Sequence, residues 1–361
     1  MRAAVISILI PTYNEERYVS DCLRSIVAFE IPRGEEIEVL VVDGMSTDRT
    51  RELARGVGVG DPRIRVLENP ERVQSCALNI GIIEARGEWV MRLDAHAKYP
   101  PDYLARCYEA ARQTGAENVG GICITQPGGV GYEAHLVQAL TTHRFGVGNS
   151  GFRTGARAGF RDTVPFGFFR RDVFQRIGLF DERLVRTQDF EFNSRLRASG
   201  GRIWLDPAIQ SSYFNLGSLR AFLRKQLRMQ GPYCAYLWHL APYAFAPRHG
   251  VTAAFAAFLW VGLGLGVVFP ALAWPYLCVL ALYAALALGA AVQQAVRYRD
   301  VRHVFALPVA FFLFHMSHGT GVLTGLARIA TGTAPTSQKP EPWPGAGKSR
   351  PWPSPRPHRR A

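Results

Sequence analysis

From Val251 to Val296 the chain carries no Asp, Glu, Lys or Arg. At ~1.5 Å of helical rise per residue against a hydrocarbon core of ~30 Å, a stretch of this length predicts two membrane crossings. Pro270 and Pro275 mark the expected break between them. The basic cluster Arg297, Arg299, Arg302 and His303 follows, and the positive-inside rule places it in the cytoplasm. A third apolar run, Val304 to Ala327, is softened by His315, Ser317, His318, Gly319 and Gly321. It reads as a third crossing or as a re-entrant segment. A full crossing puts the basic tail outside, whereas a re-entrant one keeps it in the cytoplasm. Residues 251–330 are thus expected to form a transmembrane region of two or three helices.

Charge is spread unevenly around that region. Of the net +13, residues 1–250 contribute +5 (32 basic, 27 acidic), and residues 335–361 another +5 (six basic against Glu341). A basic tail beside membrane helices suits anionic headgroups and argues against a nucleic-acid partner. With eight prolines in residues 335–361, the tail 331–361 is expected to be disordered. Leu219 to Tyr236 sets Arg220, Arg224, Lys225 and Arg228 among apolar residues. Residues 216–250 therefore read as an amphipathic interface helix and linker, with a soluble-domain helix as the alternative. The six cysteines lack paired spacing, which suits a reducing, cytosol-facing compartment. Ala3 to Ile10 is too short for a signal peptide and runs directly into Pro11.

The first half of the chain alternates between two periodicities. Val5–Ile10, Ile37–Val42 and Ile64–Leu67 are short apolar runs that suit buried strands. Arg17–Phe29, Thr50–Gly56 and Ser75–Ala85 suit helices, the first with Cys22, Leu23, Ile26 and Val27 on one face. This alternation predicts a doubly wound, mainly parallel sheet flanked by helices. A fourth strand, within Glu88–His96, ends in Asp94-Ala95-His96, and ligands of such sheets gather beyond the carboxyl ends of the strands. Asp94 and His96 lie on one side of an extended chain, so both can face one cation. An oxygen and a nitrogen ligand suit Mn²⁺ or Mg²⁺ bridged to a diphosphate, with substrate and water completing the shell. No glycine-rich dinucleotide or P-loop signature accompanies them, which excludes the usual dehydrogenase and kinase patterns.

Further on, residues 145–171 are rich in glycine, which lets backbone approach a ligand or leaves a mobile loop. Thr187-Gln188-Asp189-Phe190-Glu191-Phe192 then opens a helix running to Ala198. Its two acids fit either an active site or the favourable end of a helix dipole. Asp43 and Ser46 likewise fit a ligand site or an ordinary turn and cap.

Taken together, Pro11-Thr12-Tyr13-Asn14-Glu15, Val42-Asp43-Gly44-Met45-Ser46-Thr47-Asp48 and Asp94-Ala95-His96 resemble the nucleotide-sugar half of family 2 inverting glycosyltransferases with the GT-A fold. The series Gly-Phe-Phe-Arg-Arg-Asp-Val-Phe, Gly-Leu-Phe-Asp-Glu and Gln-Asp-x-Glu is similar to the succinoglycan and exopolysaccharide glucosyltransferase branch, and the likeness is continuous over residues 5–207. Two positions depart from the family pattern: Val42 stands where a first Asp is usual, and His96 where the last acid of Asp-x-Asp is usual. The resemblance implies a GT-A domain over residues 1–215. It further implies donor-nucleotide contacts at Pro11, Thr12, Tyr13, Glu15, Asp43, Ser46 and Asp94, with a divalent cation (Mn²⁺ or Mg²⁺) at Asp94 and His96. Asp189 would be the base, Glu191 a supporting acid, and Gly167, Gln188, Gln226 and Arg228 acceptor or interface candidates.

The implied reaction moves a sugar, with glucose and UDP as the family-level expectation, from a nucleoside diphosphate to a lipid-linked saccharide. The enzyme would be a multi-pass protein of the inner or plasma membrane with a cytoplasmic catalytic domain. A polyprenyl-phosphate glycosyltransferase, a processive synthase and a non-catalytic membrane scaffold stay open. Of these, the processive reading is disfavoured by the absence of Trp after Arg228.

Overall fold

The computed structural model describes residues 4–148 and 150–335, so most of the expected disordered tail lies outside the described residues. Among the described residues nine strands form one sheet: β1 (Ala4–Thr12), β2 (Glu35–Asp43), β3 (Ile64–Glu68), β4 (Trp89–Arg92), β5 (Ala97–Lys98), β6 (Asn118–Gln126), β7 (Gly159–Phe160), β8 (Phe168–Arg170) and β9 (Ile203–Phe214). The order is β3-β2-β1-β4-β8-β6-β9-β5, with β7 paired to β9. The half read from the sequence, β3-β2-β1-β4, is parallel throughout. β8 then runs antiparallel to both β4 and β6.

The parallel half is buried on both faces, as such sheets require: Ile6, Ile8, Leu9 and Ile10 of β1 are 0–1% exposed. Helices Val19–Val27, Thr50–Val59 and Gln74–Glu84 connect its strands. The first buries Val19, Cys22, Leu23 and Ile26, so Val19 takes the place expected for Val27. Glu38, in the middle of β2, is an acid buried among these strands. Glu38 accepts hydrogen bonds from Ser7 Oγ (2.7 Å), Arg86 N (2.7 Å) and Arg86 Nε (2.9 Å), which compensate the cost of burying its charge.

The chain divides into two compact units. Among the described residues, those up to Ile122 together with Arg157–Ser211 make one; Cys123–Ala156 and residues 212–335 make the other. The second unit is largely helical, with Tyr132–Thr141, Leu219–Lys225, a π-helical segment Gln226–Gln230, Gly231–Leu240, Pro247–Val268, Ala273–Tyr298 and Arg302–Ala330. Two stretches, Pro270–Tyr298 and Arg302–Ala330, are long and apolar enough to cross a membrane; a third apolar stretch, Gly250–Gly266, is shorter. A break falls at Phe269–Leu272, beside Pro270, while Pro275 sits in the first turn of the next helix, where its missing N–H costs no hydrogen bond. Large apolar side chains remain uncovered on this unit, among them Trp274 (75% exposed) and Phe305 (77%). Such a surface calls for lipid or an apolar partner.

Candidate active site

The loops beyond β1, β2 and β3 each contain a non-glycine residue in the left-handed region: Asn14 (φ 55°), Met45 (φ 57°) and Arg72 (φ 57°). Such backbone costs of order 1 kcal/mol or more per residue and persists where surrounding bonds over-determine it. Those bonds lace the first two turns together. Asn14 N donates to Ser46 Oγ (2.9 Å), Thr47 N to Asn14 Oδ1 (2.9 Å) and Glu15 N to Thr50 Oγ1 (2.7 Å). Asp43, at the end of β2, is 1% exposed. Ser46 Oγ (2.6 Å) and Thr12 Oγ1 (3.3 Å) donate to its Oδ1, and Ser46 N (2.9 Å) to its Oδ2. Arg51 Nε stands 3.4 Å from Oδ2. The Asp43 carboxylate thus organises the turn, and a ligand N–H reaching it has to share an oxygen already in use.

β4 delivers the next group. Asp94 is clamped at its backbone, since its N–H donates to the Tyr99 hydroxyl oxygen (2.9 Å) and that hydroxyl donates to the Asp94 carbonyl (3.1 Å). Burial, with Cys22 and Asp94 close by, raises the Tyr99 pKa well above 10, so the phenol remains a donor at neutral pH. The Asp94 side chain accepts at Oδ1 from Arg92 (2.8 Å) and from Gln74 Nε2 (3.3 Å). His96 Nδ1 lies 2.9 Å from Glu15 Oε1. With Nδ1–H donated to that carboxylate, the basic lone pair of the ring sits on Nε2, the arrangement that prepares a histidine for a metal. The carboxylate suits Mn²⁺ or Mg²⁺, and an imidazole beside it fits the softer Mn²⁺ better than Mg²⁺. Among the described residues no cluster of three or more His, Cys, Asp or Glu forms a complete protein ligand set. Diphosphate oxygens and water would supply the remaining ligands, as Mg²⁺ sites commonly allow.

The third contribution comes from helix Gln188–Ala198, whose N-cap Thr187 is itself left-handed (φ 64°). Gln188 is buried and donates through Nε2 to Gln74 Oε1 (2.8 Å). Asp189 Oδ2 lies 4.0 Å from Arg92, and the Asp189 side chain is 43% exposed against 8% for Arg92. An accessible acid beside a buried cation can meet a substrate hydroxyl. Glu191, two residues further in, is 2% exposed and receives two hydrogen bonds from Arg195, at 2.9 and 2.8 Å. Arg195 also donates to the carbonyls of Ile177 and Leu179, so this acid is engaged in packing the helix.

Asp94, Gln188 and Asp189 are therefore linked through contacts of 2.8–4.0 Å with Gln74 and Arg92, neither of which stands out in the sequence, while His96 and Glu15 form a separate pair beginning two residues beyond Asp94. The available signal for Arg92 was its parity with Asp94, two residues beyond the end of β4. Gly167 joins the group through its backbone, its carbonyl accepting from Arg92 N (2.9 Å). Tyr13 is half exposed beyond β1. Pro11 and Thr12 pair with Val42 and Asp43 across the strand ends. Gln226 and Arg228 lie in the second unit, on its π-helical segment, with Gln226 buried and Arg228 exposed.

A parallel half-sheet with acids at its carboxyl edge, continued by antiparallel strands and a helix carrying a further acid, defines the GT-A class of α/β transferases. The sequence profile of Glycosyl transferase family 2 matches residues 7–178. By that match residues 7–178 are similar to a family 2 glycosyltransferase domain. Succinoglycan biosynthesis protein ExoA of Rhizobium meliloti (strain 1021) is 32% identical over 209 residues, which cover 57% of this chain and 62% of the relative, less than two thirds of its length. A dolichyl N-acetyl-alpha-D-glucosaminyl phosphate 3-beta-D-2,3-diacetamido-2,3-dideoxy-beta-D-glucuronosyltransferase of Methanococcus voltae is 28% identical over 339 residues, covering 90% of this chain and 97% of the relative. Among solved structures, the mannosyltransferase PcManGT from Pyrobaculum calidifontis, in complex with GDP-Man and Mn²⁺, has a TM-score of 0.53 at 22% identity, over 85% of this chain and 86% of that one. That likeness is one of fold.

Proposed function

We propose that this glycosyltransferase inverts the anomeric centre of a nucleoside-diphosphate sugar and transfers the sugar to a lipid-linked saccharide at a membrane. The observation that carries the reading is the joining of Asp94 and Asp189 at one edge of the sheet through the buried Arg92. The donor's diphosphate lies against Asp94 and His96, and the base and ribose against the turn of Pro11, Thr12, Tyr13, Glu15, Asp43 and Ser46, where Tyr13 offers an exposed ring. A divalent cation held by Asp94 and His96 supplies charge neutralisation to the departing diphosphate when bound.

Asp189 accepts the proton of the acceptor hydroxyl. That oxygen bonds to the anomeric carbon from the face opposite the diphosphate, and the carbon–diphosphate bond breaks with its electron pair leaving on the nucleotide. Uridine and glucose follow the family resemblance and head the donor series to be tried. A lipid-linked saccharide acceptor is supported by the name of the Methanococcus voltae relative, which transfers to a dolichyl N-acetyl-alpha-D-glucosaminyl phosphate and is matched over 97% of its length. The two long apolar helices support a multi-pass anchor in the plasma membrane, with residues 1–215 in the cytoplasm and 216–250 along the interface.

The test incubates membranes containing the full chain with labelled sugar nucleotides, followed by analysis of the extracted lipids. Label entering a saccharide lipid, and lost in Asp189→Asn while UDP affinity persists, is the expected result. A general base is worth ~10²–10⁴-fold in rate. Normal turnover by Asp189→Asn would remove Asp189 from the role of base.

A further inference from the structure

We infer that Arg92 is the positioning residue that sets the spacing between the donor-side acid and the base. The inference rests on the reading of Asp189 as base and adds a residue to it. Arg92 closes β4, and one end of its guanidinium meets Asp94 Oδ1 at 2.8 Å while another nitrogen stands 4.0 Å from Asp189 Oδ2. The planar fork of arginine is rigid and keeps its charge at any working pH, so it holds two carboxylates in a way that a single ammonium does not. At 8% side-chain exposure little water screens it.

The strut is braced from behind. The Arg92 amide is held by the Gly167 carbonyl, and Gly167 has φ +120°, where a Cβ would come within 2.3 Å of the Phe169 ring. Phe166, just before it, is left-handed (φ 59°) and sets its ring edge-on to Tyr99 at 5.6 Å, the same tyrosine that clamps Asp94. A second strut runs in parallel: Gln188 to Gln74 at 2.8 Å, then Gln74 to Asp94 at 3.3 Å. Asp94, Arg92, Asp189, Gln188 and Gln74 thus close a ring that contains both acids. Such a ring serves a displacement in which the base must face the carbon opposite its leaving group, because a misplacement of ~1 Å costs ~10²-fold in rate.

The test uses the full chain with Arg92→Met, Arg92→Lys, Asp189→Asn and the Arg92→Met/Asp189→Asn double variant. It reads kcat, donor KM, affinity for the free nucleoside diphosphate by calorimetry, and Tm. Arg92→Met is expected to lower kcat ~10²-fold and to change nucleotide affinity by only a few fold. In the Asp189→Asn background the same substitution is expected to cost ~3-fold or less, because the strut then has no base to place. Arg92→Lys retains the charge and is expected to recover part of kcat. Multiplicative effects of the two substitutions overturn the inference and leave the base reading intact. So does a loss of nucleotide affinity as large as the loss of kcat. Normal turnover by Asp189→Asn overturns the base reading itself. Should Arg92→Met fail to fold, as Tm reports, Arg92→Lys decides alone, and a parental kcat in that variant overturns the inference.

Discussion

Each unit of the molecule contains a polar network, and the two are built differently. At the sheet edge, Arg92, Asp94 and Asp189 are ionisable, and the outermost of them is substantially open to solvent. In the helical unit the network is mostly neutral and turned inward. Gln294 donates to the Ala139 carbonyl and to Thr142 Oγ1 (3.0 Å), Thr142 shares a hydrogen bond with the Tyr298 hydroxyl (2.8 Å), and Arg297 donates to the Thr142 carbonyl (3.3 Å). The second pattern satisfies backbone and side-chain groups that an apolar setting would otherwise leave costly. The first keeps charge in reserve beside an opening. Charge with access marks chemistry, and closed neutral pairing marks scaffold.

The comparison breaks most visibly at Asp94. Asp94→Ala is expected to abolish transfer, lowering turnover ~10³-fold or more, because charge stabilisation of this kind is commonly worth several kcal/mol. His96→Ala is expected to weaken Mn²⁺ binding, read by titration of the ion in the presence of UDP, while Tm stays near that of the parent. Full activity of Asp94→Ala in excess chelator would show that the strand end does not handle the diphosphate.

Glu191 sharpens the contrast within one helix. Removing its charge leaves Arg195 buried and uncompensated, a defect that costs ~3–5 kcal/mol in comparable pairs. Glu191→Gln is therefore expected to lower Tm clearly, while kcat per folded molecule falls far less than in Asp189→Asn. Melting curves and active-site-normalised rates measure the two quantities. A stable but inactive Glu191→Gln would exchange the roles of the two acids.

These acids also show how far the sequence was legible. Local periodicity located β1 to β4 and the helix reaching Ala198 to within two residues or so, because burial on both faces writes itself into short apolar runs. It also located Asp94 at a strand end and Asp189 in the first turn of a helix. What stayed hidden depends on long sequence separation. Arg92 meets Asp189 across 97 positions, and Gln74 meets Gln188 across 114. The antiparallel β8 was hidden by its length, three residues inside a glycine-rich stretch. The grouping of Cys123–Ala156 with the C-terminal helices is likewise invisible locally, since Gln294 and Ala139 stand 155 positions apart.

The neutral network should respond in stability and not in chemistry. Gln294→Leu fills similar space but removes the donor for Ala139 O and Thr142 Oγ1, so a cost of ~1–3 kcal/mol is expected. The readout is Tm in detergent, with kcat per folded molecule unchanged. A large loss of kcat at parental Tm would mean that the helical unit contributes to the chemistry directly.

The smallest effect is expected at the turn between the two long helices, where the arginine of a charged pair is exposed and the comparison predicts little. Asp300 accepts from Arg302 N (3.0 Å) and Nε (2.9 Å) at the start of helix Arg302–Ala330, and Arg302 lies over the Tyr132 ring at 4.3 Å. The hydrogen bond from the Arg302 side chain, reinforced by its backbone N–H and charge, brings the Asp300 pKa down from 3.8 to about 2. A carboxyl depressed in the folded state stabilises the fold fully above its unfolded pKa, and the contribution disappears as pH falls through the folded value. The Tm difference between the parent and Asp300→Asn should accordingly be small and constant at pH 6–7, fall to roughly half near pH 3, and vanish below pH 2. Added salt should shrink it further, since the Arg302 side chain is exposed. A Tm difference that grows as the pH is lowered would mean that the Arg302 pairing does not stabilise the turn.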